Sequence, residues 1–200
     1  MPGSSKRRRG EVLFATSNRG KLEEARKILS SFGLTVEQYD GKGVEIQADT
    51  TREVAAQASM GAAMAARRPV LVEDAGLYVE SLRGFPGPYS SHAFKTIGLA
   101  GIVALVRTAS VGRGGRAARF VSSVSYCEPR SEPLLFEGIV RGAITRGPRG
   151  KNGFGFDPIF VPEGGAKTFG EMTLEEKCEV SHRAVAMRKF AGWYVSRDRR

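Results

Sequence analysis

The sequence predicts an α/β protein, and three stretches carry that prediction. An apolar run, Glu11–Ala15 (E-V-L-F-A), feeds through a short polar loop into a helical pattern. An alanine-rich segment of helical length lies between the strand-like runs Leu34–Tyr39 and Val70–Val72, the layout of a crossover unit. Two long alternating runs, Arg119–Cys127 and Leu134–Gly142, flank E-P-R-S-E-P and read as antiparallel strands.

Taken in order, the first strand runs straight into T-S-N-R-G-K at Thr16–Lys21. From Leu22 onward, Leu22, Ala25, Ile28, Leu29 and Phe32 share one helical face and Glu23, Glu24, Arg26 and Lys27 the other, with Gly33 placed to close the helix. The loop is either an ordinary N-capping turn or a site that presents N–H groups and a lysine to an anion at a helix N-terminus. It lacks the Walker spacing, and the crowding of Thr16, Ser17, Asn18 and Lys21 into six residues favours the anion. Leu34–Tyr39 is a second strand, beside or antiparallel to the first.

In V-E-I-Q at Val44–Gln47, Glu45 is flanked by apolar residues. Thr50 and Glu53 compose a capping box for a helix over Thr51–Ala66, and Ala55, Ala58, Ala62 and Ala65 let it pack closely. Pro69–Gly76, P-V-L-V-E-D-A-G, is expected to be a buried strand that stops at Glu73 and Asp74. That would put two carboxylates at a strand's carboxyl end, where open α/β sheets hold ligands. The pair suits a hard cation or a general base, or simply ends the strand.

Leu77–Glu80 reads as another short strand, followed by a loop fixed by G-F-P-G-P-Y-S-S at Gly84–Ser91, a helix over Ile97–Thr108 and a basic glycine-rich link from Val111 to Arg116. In G-F-G-F-D, Phe154 and Phe156 can stack on a ring and Asp157 can accept from base N–H groups, although aromatics among glycines also build cores. Ser181 is placed to cap a final helix with the apolar face Met187, Phe190, Trp193 and Tyr194. Lys177, His182 and Arg183 then gather near its N-terminus, where an anion is favoured.

A chain of 200 residues is long enough for one sizeable core, and no linker divides it. No apolar run approaches the roughly 18 residues of a membrane span, so the chain reads as cytoplasmic. Cys127 and Cys178 have neither metal-ligand spacing nor disulfide-framework density, and with only His92 and His182 no histidine-rich zinc site is expected. The net charge of +10 raises nucleic acid as a partner, but more than half of the excess sits in Lys6–Arg9 and Arg197–Arg200. Residues 1–9 and 197–200 read as basic tails, the first disordered, around one domain over 10–196. The aromatics form no repeated stacking platform, so no specific nucleic acid is expected.

These motifs, in this order, resemble the inosine triphosphate pyrophosphatase family, the XTP/dITP diphosphatases, and most of all its archaeal members. The resemblance runs from A-T-S-N-R-G-K at Ala15–Lys21 through V-E-I-Q, V-E-D-A-G-L, G-F-P-G-P-Y-S, G-F-G-F-D-P-I-F and E-M-T-x-E-E-K to S-H-R, nearly the whole chain apart from the tails. It implies a long, twisted mixed sheet flanked by helices, with an active-site cleft between two lobes, and a homodimer. The implied reaction is hydrolysis of ITP, dITP or XTP to the nucleoside monophosphate and pyrophosphate. Thr16, Ser17, Asn18, Arg19, Gly20 and Lys21 would hold phosphates, with Ala75 offering its main-chain N–H. Glu45 and Asp74 would bind Mg²⁺, Asp74 also accepting the proton of the attacking water. Phe154, Gly155, Phe156 and Asp157 would shape the nucleoside pocket, and Lys177, His182 and Arg183 would contact base and phosphate. A pyrophosphatase for modified pyrimidine nucleotides shares the chemistry and differs in the pocket.

Three positions depart from the family pattern. Ala75 stands where a serine is common, Cys178 replaces an Asn or Ser, and Met60 lies near where many members carry a phosphate-facing lysine, which puts more weight on Lys21.

Overall fold

The computed structural model describes residues 10–41, 46–109 and 115–197. The expected basic tail at 1–9, most of the C-terminal tail, Val44 and Glu45 of V-E-I-Q, and much of the glycine-rich link lie outside the described residues. The strands are β1 (Glu11–Ala15), β2 (Thr35–Tyr39), β3 (Val70–Val79), β4 (Pro86–Gly87), β5 (Ala117–Cys127), β6 (Leu134–Ile144) and β7 (Phe160–Pro162). The helices are α1 (Arg19–Ser30), α2 (Thr51–Ala66), α3 (Ser90–Thr96), α4 (Gly98–Ala109), α5 (Leu174–Val180) and α6 (His182–Arg197).

The strands form one seven-stranded mixed sheet in the order β2-β1-β3-β5-β6-β7, with β4 paired to β3. β1 is parallel to β2 and to β3, which settles the second strand as parallel, and the β3–β5–β6–β7 ladder is antiparallel. Strand alternation divides the interior between the two faces. On one face Val12, Phe14, Leu71 and Val124 pack with α1 and α6. On the other, Leu13, Val70 and Val72 meet Ala62 and Ala63 of α2. A further cluster, with Leu77, Val79, Phe120 and Phe160, gathers Ile102 and Val106 of α4 at the far end of β3.

Local chemistry explains the helix starts. Asn18 accepts from the Lys21 N–H and begins α1 at Arg19, three residues before the apolar periodicity becomes visible. The Thr50–Glu53 capping box starts α2 as expected, and a second box, Thr173–Glu176, starts α5. Ser181 accepts from the Ala184 N–H at the head of α6.

Two sequence expectations are corrected. The strand does not stop at Glu73 and Asp74, nor is Leu77–Glu80 a separate strand: β3 continues to Val79, paired to β5 from Val70↔Cys127 to Val79↔Ala118. A buried carboxylate is tolerated mid-strand because cations from other elements reach it. Glu24, assigned to the solvent face of α1, is 2% exposed for the same reason.

α6 approaches β6 at Gly138, where a Cβ would run into the His182 carbonyl and the Ala186 N–H. Gly138→Ala should therefore force the helix off the sheet and cost about 1–3 kcal/mol, read as a lower urea midpoint. An unchanged midpoint would show that the helix has room to move.

Candidate active site

β1 and β4 share one side of β3 but do not meet. β1 ends with Ala15 opposite Val72, and β4 begins at the Leu77↔Gly87 pair. Among the described residues no strand covers that side of β3 from Glu73 to Gly76, so the sheet has a notch there. The Glu73 carbonyl accepts from Lys21 Nζ at 3.0 Å, and the Leu77 N–H donates to Ser90 Oγ at 2.8 Å. Alternation then turns the Ala75 N–H toward the notch as well.

The loop that leaves β1 borders this notch. Thr16 Oγ1 accepts from the Asn18 N–H at 3.1 Å, and Asn18 Oδ1 from the Lys21 N–H at 3.1 Å, so both side chains shape the turn. Ser17 is exposed, and Arg19 pairs with Glu23 in solvent. Gly20 lies against the Phe154 ring, which occupies the position of a Cβ. Gly155 follows with φ +59°, a left-handed turn that favours glycine. The Thr16–Lys21 loop and the G-F-G-F-D loop therefore touch.

Lys21 begins a buried chain of ion pairs. Its Nζ lies 2.9 Å from Glu73 Oε2. Glu73 Oε1 accepts from Ser122 Oγ at 2.7 Å and pairs with Arg183 at 3.1 Å. Arg183 reaches Glu24 at 2.6 Å, Lys177 bridges Glu24 at 2.7 Å and Asp157 at 2.5 Å, and the Phe154 N–H donates to Asp157 at 2.7 Å. The Phe154 ring lies 4.7 Å from Lys177 Nζ and 5.3 Å from the Arg183 guanidinium.

Electrostatics follow from this packing. Burial alone would raise Glu24 and Glu73; Arg183 with Lys177 for the first, and Arg183 with Lys21 for the second, hold both below the usual carboxylate range. At Asp157 burial outweighs Lys177 and the Phe154 N–H, so its carboxyl sits above the usual range. Burial, and then Arg183, keeps His182 well below 6.5 and therefore neutral. Its imidazole stacks on Phe120, with centroids 4.5 Å apart and planes 8° from parallel. His182 Nδ1 and Arg183 Nε are buried with no hydrogen-bond partner among the described residues.

The expected residues thus fall into three groups. Thr16–Lys21, Ala75, Phe154, Asp157, Lys177 and Arg183 border the notch or the ion chain, and His182 adjoins them at the head of α6. Phe156 turns away into the core, edge-on to Phe94 at 5.5 Å. Asp74 lies on the opposite sheet face from Glu73, beside α2, where Ser123 is its cross-strand neighbour. Glu45 lies outside the described residues. Met60 packs with the apolar residues under α2, and burial lifts the Cys178 thiol to about 11, leaving it inert. Sequence reasoning missed Glu24. Its signal was the spacing Lys21, Glu24, Ile28, which places it within the buried stripe.

The Ham1 family profile matches residues 12–193. A Methanopyrus kandleri protein named dITP/XTP pyrophosphatase is 49% identical over 92% of this chain and 96% of its own length. A Thermococcus kodakarensis protein of the same name is 48% identical over 91% and 96%. Among solved structures, a HAM1 protein from Coxiella burnetii superposes with a TM-score of 0.82 at 28% identity, covering 93% of this chain and 98% of that one. The Staphylococcus aureus Ham1 protein gives 0.77 at 30%, covering 94% and 99%.

The site fixes how stability responds to acid. His182 has a folded value below its unfolded 6.5, and Glu24 and Glu73 have folded values below their unfolded 4.5. Each contributes stability that is present above the unfolded value and lost as pH falls, while the raised Asp157 acts with the opposite sign. The urea midpoint should drop in two stages, the first beginning as pH falls below 6.5 and the second below 4.5. His182→Gln should abolish the first stage only; a wild-type midpoint that is flat from pH 7 to about 5 would contradict a neutral His182.

Proposed function

The chain belongs to the Ham1 family, and from that premise we propose that it hydrolyses the deaminated purine nucleoside triphosphates ITP, dITP and XTP to the monophosphate and pyrophosphate, clearing them from the nucleotide pool. The observation that carries this reading is the continuous ion chain from Lys21 to Asp157, which ties an anion-accepting helix N-terminus to the Phe154 ring.

The α1 N-terminus, Lys21 and the Ala75 N–H receive phosphate oxygens at the notch. The metal reading rests on Asp74, a partly buried oxygen donor beside that notch, since Glu45 lies outside the described residues. No group of three or more His, Cys, Asp or Glu converges among the described residues. Mg²⁺ is commonly held by one or two carboxylates with waters and phosphate oxygens. Asp74 with Glu45 would hold the ion, and when bound it neutralises phosphate charge. Asp74 takes the proton of a water attacking the α-phosphorus in line, and pyrophosphate leaves.

Base choice follows from the two buried polar atoms. Hypoxanthine and xanthine present a 6-oxo group and N1–H, where adenine presents an amino group and a bare nitrogen. Neutral His182 and permanently charged Arg183 offer donors to O6, and adenine would leave them unpaired, a mismatch that discriminates strongly.

No helix among the described residues is long and apolar enough to cross a membrane. A cytoplasmic homodimer, with residues 10–196 as one catalytic domain, completes the reading. Phe85, Tyr89, Phe94 and Ile97, each about 40% exposed, support a subunit contact.

Purified protein with Mg²⁺ should release pyrophosphate from ITP, dITP and XTP in preference to ATP, GTP and pyrimidine triphosphates. No release from ITP or XTP would overturn the assignment, and orthophosphate in place of pyrophosphate would move the attack to the γ-phosphorus. Asp74→Asn should lower kcat by about two to four orders of magnitude; a loss within about tenfold would remove Asp74 from the chemistry.

A further inference from the structure

Tyr78 faces Arg119 across the β3–β5 ladder, and Arg119 faces Arg141 across β5–β6. By alternation all three side chains stand on the α2 face of the sheet. Two arginines directly opposite repel one another, and an anion lying against them relieves the repulsion. Neither guanidinium has a carboxylate partner among the described residues.

The Tyr78 ring leans back along β3 and across to its β4 side. Cε2 comes within 3.2 Å of where a Gly76 Cβ would stand, and Cε1 within 3.2 Å of the same position at Gly87. The half-buried Arg119 holds its guanidinium over this ring, 5.1 Å from the centroid. To do so the side chain leaves β5 and extends over β3, which carries its charge toward the β4 end of the notch. Lys21 and the N-terminus of α1 stand at the β1 end. Arg141 starts one strand farther out, beside Glu163, whose N–H donates to the Arg141 carbonyl at 2.9 Å.

We propose that Arg119, stacked on Tyr78, binds the outer two phosphates of the nucleoside triphosphate, the pair that leaves as pyrophosphate. This deepens the reading of the chain as a triphosphate pyrophosphatase and rests on it. The α1 N-terminus lies against the Phe154 ring through Gly20, so the phosphate nearest the nucleoside is met at the β1 end and the far phosphates at the β4 end. A guanidinium lying on an aromatic face keeps its N–H edge free, and that planar fork matches two phosphate oxygens at once. Tyr78 thus fixes the direction of the fork without competing for its hydrogens.

Arg119→Gln removes the charge, Arg119→Lys keeps it without the fork, and Arg141→Gln removes an equal charge one strand away. Calorimetric titration with inorganic tripolyphosphate and Mg²⁺ should show binding to the wild type, weakened about tenfold in Arg119→Gln, less in Arg119→Lys, and within about twofold of wild type in Arg141→Gln. With ITP, Arg119→Gln should raise KM about tenfold while kcat stays within about threefold. Inhibition by IMP, which carries only the inner phosphate, should be unchanged. Tripolyphosphate binding that is absent from the wild type or unaltered in Arg119→Gln would overturn the proposal. So would an equal loss in Arg141→Gln, which would mean diffuse charge, or an equal loss of IMP inhibition, which would mean a general disturbance of the site. If the wild-type protein cleaves no nucleotide, the functional reading fails while the tripolyphosphate titration still decides whether Arg119 holds a polyphosphate.

Discussion

The structure depends on one chain of alternating buried charges: Lys21, Glu73, Arg183, Glu24, Lys177 and Asp157. It lies between two apolar clusters on one sheet face, with Leu71 below Glu73 and Leu77 above it. Buried ion pairs are poor sources of net stability, but removing one member strands a charge out of water. The members therefore stand or fall together. They come from α1, β3, α5, α6 and the loop before β7, so the chain sets the mutual positions of elements far apart in sequence. The three cations and three carboxylates also cancel. A triphosphate, with about four negative charges, therefore meets no net positive charge from the chain as a whole.

The second constraint is where β1 stops. A longer β1 would continue the ladder beside β3 and consume the main-chain groups from Glu73 to Gly76. The early end lets Lys21 reach the Glu73 carbonyl and places α1 with its N-terminus at the gap. The loop carries the capping residue instead of more apolar chain, so the turn chemistry of Thr16 and Asn18 determines the length of the strand as well as the start of the helix.

Elements whose cause is local were legible in the sequence. The strand Glu11–Ala15, the capping box at Thr50–Glu53, the serine at the head of α6 and the antiparallel pair β5–β6 all follow from neighbours within a few residues. What was not legible depends on partners far away. Glu24 was assigned to solvent because a carboxylate on a helix is ordinarily exposed, yet its partners Lys177 and Arg183 are 153 and 159 residues distant. Glu73 was expected to end a strand because a buried carboxylate needs cations, and those come from α1 and α6. Phe154 and Phe156 look equivalent in G-F-G-F-D, but one ring covers Gly20 at the site and the other enters the core. Simple alternation would put both on one side; the left-handed turn at Gly155 between them separates the rings, and composition does not reveal it.

Alternation also decides what the two adjacent acids can do. Glu73 faces α1 and α6, where it is paired, hydrogen-bonded and held ionised. A carboxylate so stabilised is a poor proton acceptor, since its conjugate acid is unfavourable. Asp74 faces α2 and is partly buried, outside that ion chain. Their chemistry is identical; only the direction of the side chain differs. A slip of β3 by one residue would exchange their surroundings, placing Asp74 in the ion chain and Glu73 beside α2. The register is held on both sides: by the long ladder with β5, and at Gly76, where the Gly87 carbonyl comes so close that no other residue fits. The different surroundings of the two neighbouring carboxylates are thus enforced by the sheet register, not by the residues themselves.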